Sequence, residues 1–140
     1  MSQYHFVFNL DKHEFINPHE LGDGLTLREF GMWSGGTMTA LAVLLAVSDG
    51  RGNGDFDLED PLVGSWGGDR IAIVGDMALP GDLPPEDMAG DIYHGCREGG
   101  WHDLSSDMRR LVELIGRHRF VREDGRAWRR VEVESPQART

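Results

Sequence analysis

Residues 64–76, Gly-Ser-Trp-Gly-Gly-Asp-Arg-Ile-Ala-Ile-Val-Gly-Asp, set four apolar residues between glycine-rich turns and charged ends. A run this short has strand length, and its lack of alternation predicts a strand buried on both faces. At about 3.3 Å per residue, such a strand holds Asp69 and Asp76 about 20 Å apart. The two acids then share neither a metal ion nor a proton, so a site here must be built at one end. Residues 64–70 are the richer end: the glycines permit close backbone approach, Trp66 offers an aromatic face, and Arg70 offers a planar donor fork for a carboxylate or phosphate. An internal Asp69–Arg70 turn contact, with Trp66 closing the edge of the core, accounts for the same residues without a ligand.

The N-terminal segment alternates Tyr4, Phe6, Phe8 and Leu10 with His5, Val7 and Asn9. Asp11-Lys12 then leads into residues 13–16 before Pro18, the pattern of a β-hairpin. Gly22-Asp23-Gly24 is a turn signal, and residues 25–30 alternate as a short strand. Ser34-Gly35-Gly36-Thr37 supplies capping oxygens ahead of residues 38–47, which are apolar on every side except Thr39 and predict a buried helix. Three prolines and three acids in residues 80–87 predict an exposed loop before a helix starting near Pro85. Leu104, Met108, Leu111, Val112 and Ile115 recur at helical spacing, with Arg109, Arg110 and Glu113 on the other face and Gly116 as the stop. Residues 119–134 form two β-like runs around Asp124-Gly125, suited to a tight hairpin turn. No repeat or linker interrupts this series. The expected fold is one α+β domain over residues 1–140: a mainly antiparallel sheet with one buried helix and one or two amphipathic helices packed on it, and residues 134–140 as a frayed tail.

With 140 residues, 39% of them apolar, the chain is long enough to bury about two thirds of its unfolded surface. Its longest uncharged apolar run, residues 37–47, is far below the ~20 residues of a bilayer crossing. Residues 1–10 also lack the basic start and cleavage pattern of a signal peptide, so a cytoplasmic protein with no membrane contact is expected. A lone cysteine, Cys96, forms no internal disulfide. The net charge is -10, unevenly spread: residues 1–100 hold 5 basic and 17 acidic side chains, residues 101–140 hold 9 and 7. Such a field opposes nucleic acid, although the helix bearing Arg109 and the hairpin bearing Arg130 follow the order of a recognition helix and wing. A solvated, cross-paired ribbon accounts for those arginines equally.

Other motifs have two readings each. Residues 49–60 offer Asp49, Asn53, Asp55, Asp57 and Asp60 to a cation, and Gly54 occupies the sharp-turn position of a twelve-residue calcium loop. Arg51 at the third position and Pro61 just beyond the loop depart from that pattern, leaving an acidic surface loop as the simpler account. His94, Cys96, His102 and Asp103 lie within ten residues but form only one loose pair of zinc ligands. His13 and His19 lie beside Glu14 and Glu20 without metalloprotease spacing. The segment 34–37 opens a helix and so offers amides to an anion, but the lysine of a phosphate loop is missing.

Three blocks, NLDKHEFINPHELGDG at residues 9–24, then SGGTMTALAVLLA and GSWGGDRIAIVGD, together resemble a set of small, functionally unassigned proteins of bacteria and their phages. The likeness covers about residues 4–80 and implies no fold, cofactor or activity. No series of nucleophile, base and orienting group is visible in the sequence. The leading expectation is a non-enzymatic binding or regulatory module that engages a small anionic molecule or a protein partner through Trp66, Asp69 and Arg70, with Asp11 and Lys12 nearby. Two alternatives stay open: a metal-dependent hydrolase using the acidic loop, and an acidic decoy or inhibitor of a nucleic-acid-binding protein.

Overall fold

The computed structural model describes residues 3–30, 35–47, 60–84, 86–87, 89–115, 118–122, 125 and 128–132. Strands β1 (His5–Asn9) and β2 (Glu14–Ile16) form the expected hairpin, with Phe8 opposite Phe15 and Val7 opposite Ile16. On the other side of β1 lies β3 (Ile71–Gly75), antiparallel, while the two-residue β4 (His102–Asp103) runs parallel to β2. The strand order is β3-β1-β2-β4. Among the described residues, three α-helices, α1 (Thr37–Leu45), α2 (Ala89–Gly95) and α3 (Ser105–Ile115), and a separate hairpin of β5 (His118–Val121) and β6 (Arg129–Glu132) join this sheet in an α+β fold. Among the described residues no helix is long and apolar enough to cross a membrane.

Both faces of the sheet are covered. On one, Val7 and Ile16 meet Ala40, Val43 and Leu44 of α1 and Met108, Leu111 and Val112 of α3. On the other, Phe6, Phe8, Phe15 and Val74 pack with Ile92 of α2 and with Cys96. The rings of Phe6, Phe8 and Phe15 lie 5.8 to 6.2 Å apart, and each buried ring contributes about 1.5–3 kcal/mol through burial alone. The alternation in β1 therefore separates two buried faces, not a dry face from a wet one, and even Asn9 is fully buried.

Several local expectations change for identifiable reasons. β3 is extended as expected but among the described residues pairs with β1 alone, at the sheet edge, and Ile73 is 45% exposed rather than buried. Residues 25–30 form no strand. Thr26 and Glu29 stand at capping-box spacing, the Thr26 N–H reaches Glu29 Oε1 at 3.4 Å, and Leu27–Glu29 coils into one 3₁₀ turn. α1 is buried along Thr37, Ala40, Val43 and Leu44 and leaves Met38 and Leu45 partly in solvent, because only one side meets the sheet and α3. α2 begins at Ala89, later than the prolines indicate. In the C-terminal hairpin the described ladder pairs residues 118–121 with 129–132 and Gly125 has φ 72°; Asp124 of the expected tight turn lies outside the described residues.

Candidate functional site

The hairpin turn after β1 and the turn before β3 meet at one end of the sheet. Buried Asn9 organises the first turn: its Oδ1 accepts the N–H groups of Asp11 and Lys12 at 2.9 and 2.8 Å. Its Nδ2 donates to Asp69 Oδ2 at 2.8 Å, and the Lys12 ammonium pairs with that same oxygen. Asp11 accepts the Arg70 N–H at 2.8 Å and Arg70 Nε at 2.9 Å, while Arg70 Nη1 reaches Asp87 at 3.1 Å. Asp11, Lys12, Asp69 and Arg70 thus come together, but as Lys12–Asp69 and Asp11–Arg70 pairs and not as an Asp69–Arg70 contact. The bonds from Arg70 hold the Asp11 carboxyl below its usual range; the Asn9 amide and then Lys12 do the same for Asp69. Arg70 is shifted upward, chiefly by Asp11.

Trp66 lies elsewhere. It is fully buried in the core beneath α1 and α3, and its Nε1 donates to Glu14 Oε1 at 2.8 Å, so no aromatic face is left for a ligand. The glycine-rich turn serves the helix instead. Gly64 and Trp66 donate their N–H groups to the Val43 and Leu44 carbonyls, closing the C-terminus of α1. Gly64 has φ 75°, and a Cβ there would lie 2.8 Å from the Ala46 carbonyl oxygen.

Beyond Arg70 and Asp87 a cleft of about 290 Å³ opens between the hairpin turn and α2. Its lining includes His13, Glu86, Asp87, Asp91, Ile92 and Trp101. The His13 ring stacks on Trp101 with centroids 4.5 Å apart and planes at 11°, and Trp101 is held from behind by the edge of Phe8 at 5.5 Å. His13 has φ 56°, unusual for a residue with a side chain. Three acidic residues thus line the cleft together with an aromatic wall, and one of them, Asp87, is paired with Arg70 at the rim. Sequence reasoning missed this cleft: Glu86, Asp87 and Asp91 read as an exposed loop and helix start, and nothing in the spacing links them to His13 or Trp101.

The remaining candidates that the structure describes are engaged within the fold. Asp49, Asn53, Asp55 and Asp57 lie outside the described residues. Asp60 accepts the Leu62 N–H at 3.0 Å and faces Arg110 at 3.4 Å, so its carboxylate is already engaged. Among the described residues no three His, Cys, Asp or Glu side chains converge as a metal site. His94 contacts the Asp76 carbonyl, buried Cys96 donates to the Tyr93 carbonyl, and His102 and Asp103 are exposed on β4. Ser34 lies outside the described residues; at the start of α1 the Asp23 carboxylate takes the Thr37 N–H at 2.7 Å, the place an anion would occupy. On the basic tail, Arg109 is bound to Glu20 at 3.1 Å and stacked 4.0 Å over Trp128, and Arg130 is paired with Asp23. No protein-family model matches the chain, and no curated protein or solved structure matches it either.

Proposed function

We propose that the protein is a non-catalytic binding module that receives a basic side chain of a protein partner in the cleft between the hairpin turn and α2. The observation that supports this reading is the placement of Glu86, Asp87 and Asp91 in the lining of one cavity walled by the His13–Trp101 stack. A guanidinium or ammonium entering there gains charge-assisted hydrogen bonds beside a surface that partly excludes water. An anion meets three like charges, and the Arg70 Nε and Nη1 that would greet it already serve Asp11 and Asp87. The net charge of -10 draws basic partners from a distance. A hydrolase finds less support, since the cleft sets no nucleophile beside a base.

Isothermal titration with an oligo-arginine peptide, an oligo-glutamate peptide and inorganic phosphate tests the reading. The arginine peptide binds, more weakly as salt rises, and Glu86→Gln with Asp91→Asn weakens it about tenfold or more, the equivalent of losing one hydrogen bond to a charged group. Binding of phosphate in its place, or arginine binding indifferent to both substitutions, overturns it.

A further inference from the structure

β3 presents an unguarded sheet edge whose sequence is complementary to itself. On its inner side, Leu10 N–H donates to the Arg70 carbonyl at 2.9 Å and Asp76 N–H to the Tyr4 carbonyl at 2.8 Å. Backbone direction alternates along a strand, so Arg70, Ala72, Val74 and Asp76 turn their peptide groups toward β1 while Ile71, Ile73 and Gly75 turn theirs outward. Among the described residues no strand pairs with that outer side. Sheet edges are ordinarily blunted by charge, proline or brevity. β4, at the opposite edge, is two residues long and carries His102 and Asp103, whereas β3 is five residues without a charge.

We infer that β3 pairs with β3 of a second copy of this chain, antiparallel about a twofold axis at Ile73. This register places Ile73 opposite Ile73, which exchange both hydrogen bonds across the axis; Gly75, opposite Ile71, is buried and its carbonyl already takes the Ala78 N–H at 3.1 Å, so the centre of the strand carries the pairing. It is also the register in which the two flanking charges meet: Arg70 of each copy falls opposite Asp76 of the other, an opposite-charge cross-strand pair at each end. Arg70 uses Nε and Nη1 for Asp11 and Asp87, and its side chain is 52% exposed, so Nη2 remains to meet Oδ2 of the incoming Asp76, whose Oδ1 accepts the Tyr4 N–H of its own chain at 3.1 Å. Ile73, 45% exposed in the single chain, gains an apolar neighbour across the axis. The two sheets become one continuous sheet of eight strands.

Sedimentation equilibrium of the full chain tests this, alongside two variants at position 73. Ile73→Pro removes the outward N–H while leaving the β1 ladder intact, because the inward donors belong to residues 72, 74 and 76. Ile73→Lys keeps the backbone and places a charge at the axis. The expected result is a dimer of the wild-type chain that both variants shift to monomer, and an Asp76→Arg variant that weakens dimerisation at least about tenfold. A wild-type chain that stays monomeric up to about 1 mM overturns the inference. So does a dimer that survives Ile73→Lys with unchanged circular dichroism; should Ile73→Pro fail to fold, Ile73→Lys and Asp76→Arg decide.

Discussion

Asp23 and Arg130, 107 positions apart in sequence, meet inside the protein, with Arg130 Nη1 2.9 Å from Asp23 Oδ1 and both side chains nearly removed from solvent. The second Asp23 oxygen accepts the Thr37 N–H, and the same Arg130 nitrogen donates to the Leu21 carbonyl at 2.7 Å. One carboxylate therefore ties the start of α1 to β6. Gly36 lies so close that a Cβ there would fall 2.5 Å from Asp23 Oδ2 and 2.6 Å from Arg130 Nη1.

Removing one partner of this pair leaves the other charge buried and strips the Thr37 N–H of its acceptor. Asp23→Ala is expected to destabilise the protein by about 3–5 kcal/mol, measured by urea unfolding. A loss below about 1 kcal/mol would place the pair among exposed ion pairs of little consequence.

Trp66 is a packing residue whose indole N–H has one partner, Glu14. Trp66→Phe keeps most of the apolar volume but leaves Glu14 Oε1 without its donor, and is expected to cost about 1–3 kcal/mol. Trp66→Ala is expected to cost about 3–5 kcal/mol. Were Trp66 a ligand platform, either change would reduce binding with little effect on the urea midpoint.

The legibility of the chain differed between its parts for physical reasons. α3 was readable because one stripe of Leu104, Met108, Leu111 and Val112 faces one core, and all four are buried. The β1–β2 hairpin was readable from its alternation and turn, yet the covering of both its faces was not, because that depends on where α2 lands. Trp66 beside Arg70 read as a site because sequence shows adjacency and not direction; one side chain points into the core and the other out. The cleft was illegible because His13, Asp87 and Trp101 are joined only by tertiary contacts. Residues 26–29 carried a readable signal, the Thr26–Glu29 capping box, which outweighs the weak alternation around it.

Acid should loosen the turn network before neutral pH changes do. Asp11 and Asp69 have folded pKa values below the ordinary 3.8. Their contribution is therefore complete above that value and is lost as pH falls through the lower folded value. Urea midpoints measured from about pH 6 to pH 2 are expected to fall more steeply for the wild-type chain than for an Asp11→Asn/Asp69→Asn variant. Equal slopes would show that neither carboxyl is held by its partners.

Cys96 is expected to be a sluggish thiol. Burial pushes its pKa upward, the opposite of what a reactive cysteine requires. Labelling with a thiol reagent at neutral pH should be slow in the folded protein and rapid in denaturant; fast labelling of the folded chain would place the thiol at the surface.

The charge preference of the cleft is tested most directly by nuclear magnetic resonance, following the Trp101 indole N–H and the Gly95 and Gly99 amides during titration with an arginine-containing peptide at low salt. The proposed account requires these signals to move together, saturably, and to stay still when phosphate is added. Movement with phosphate, or cation-induced shifts elsewhere with the cleft unchanged, would contradict it.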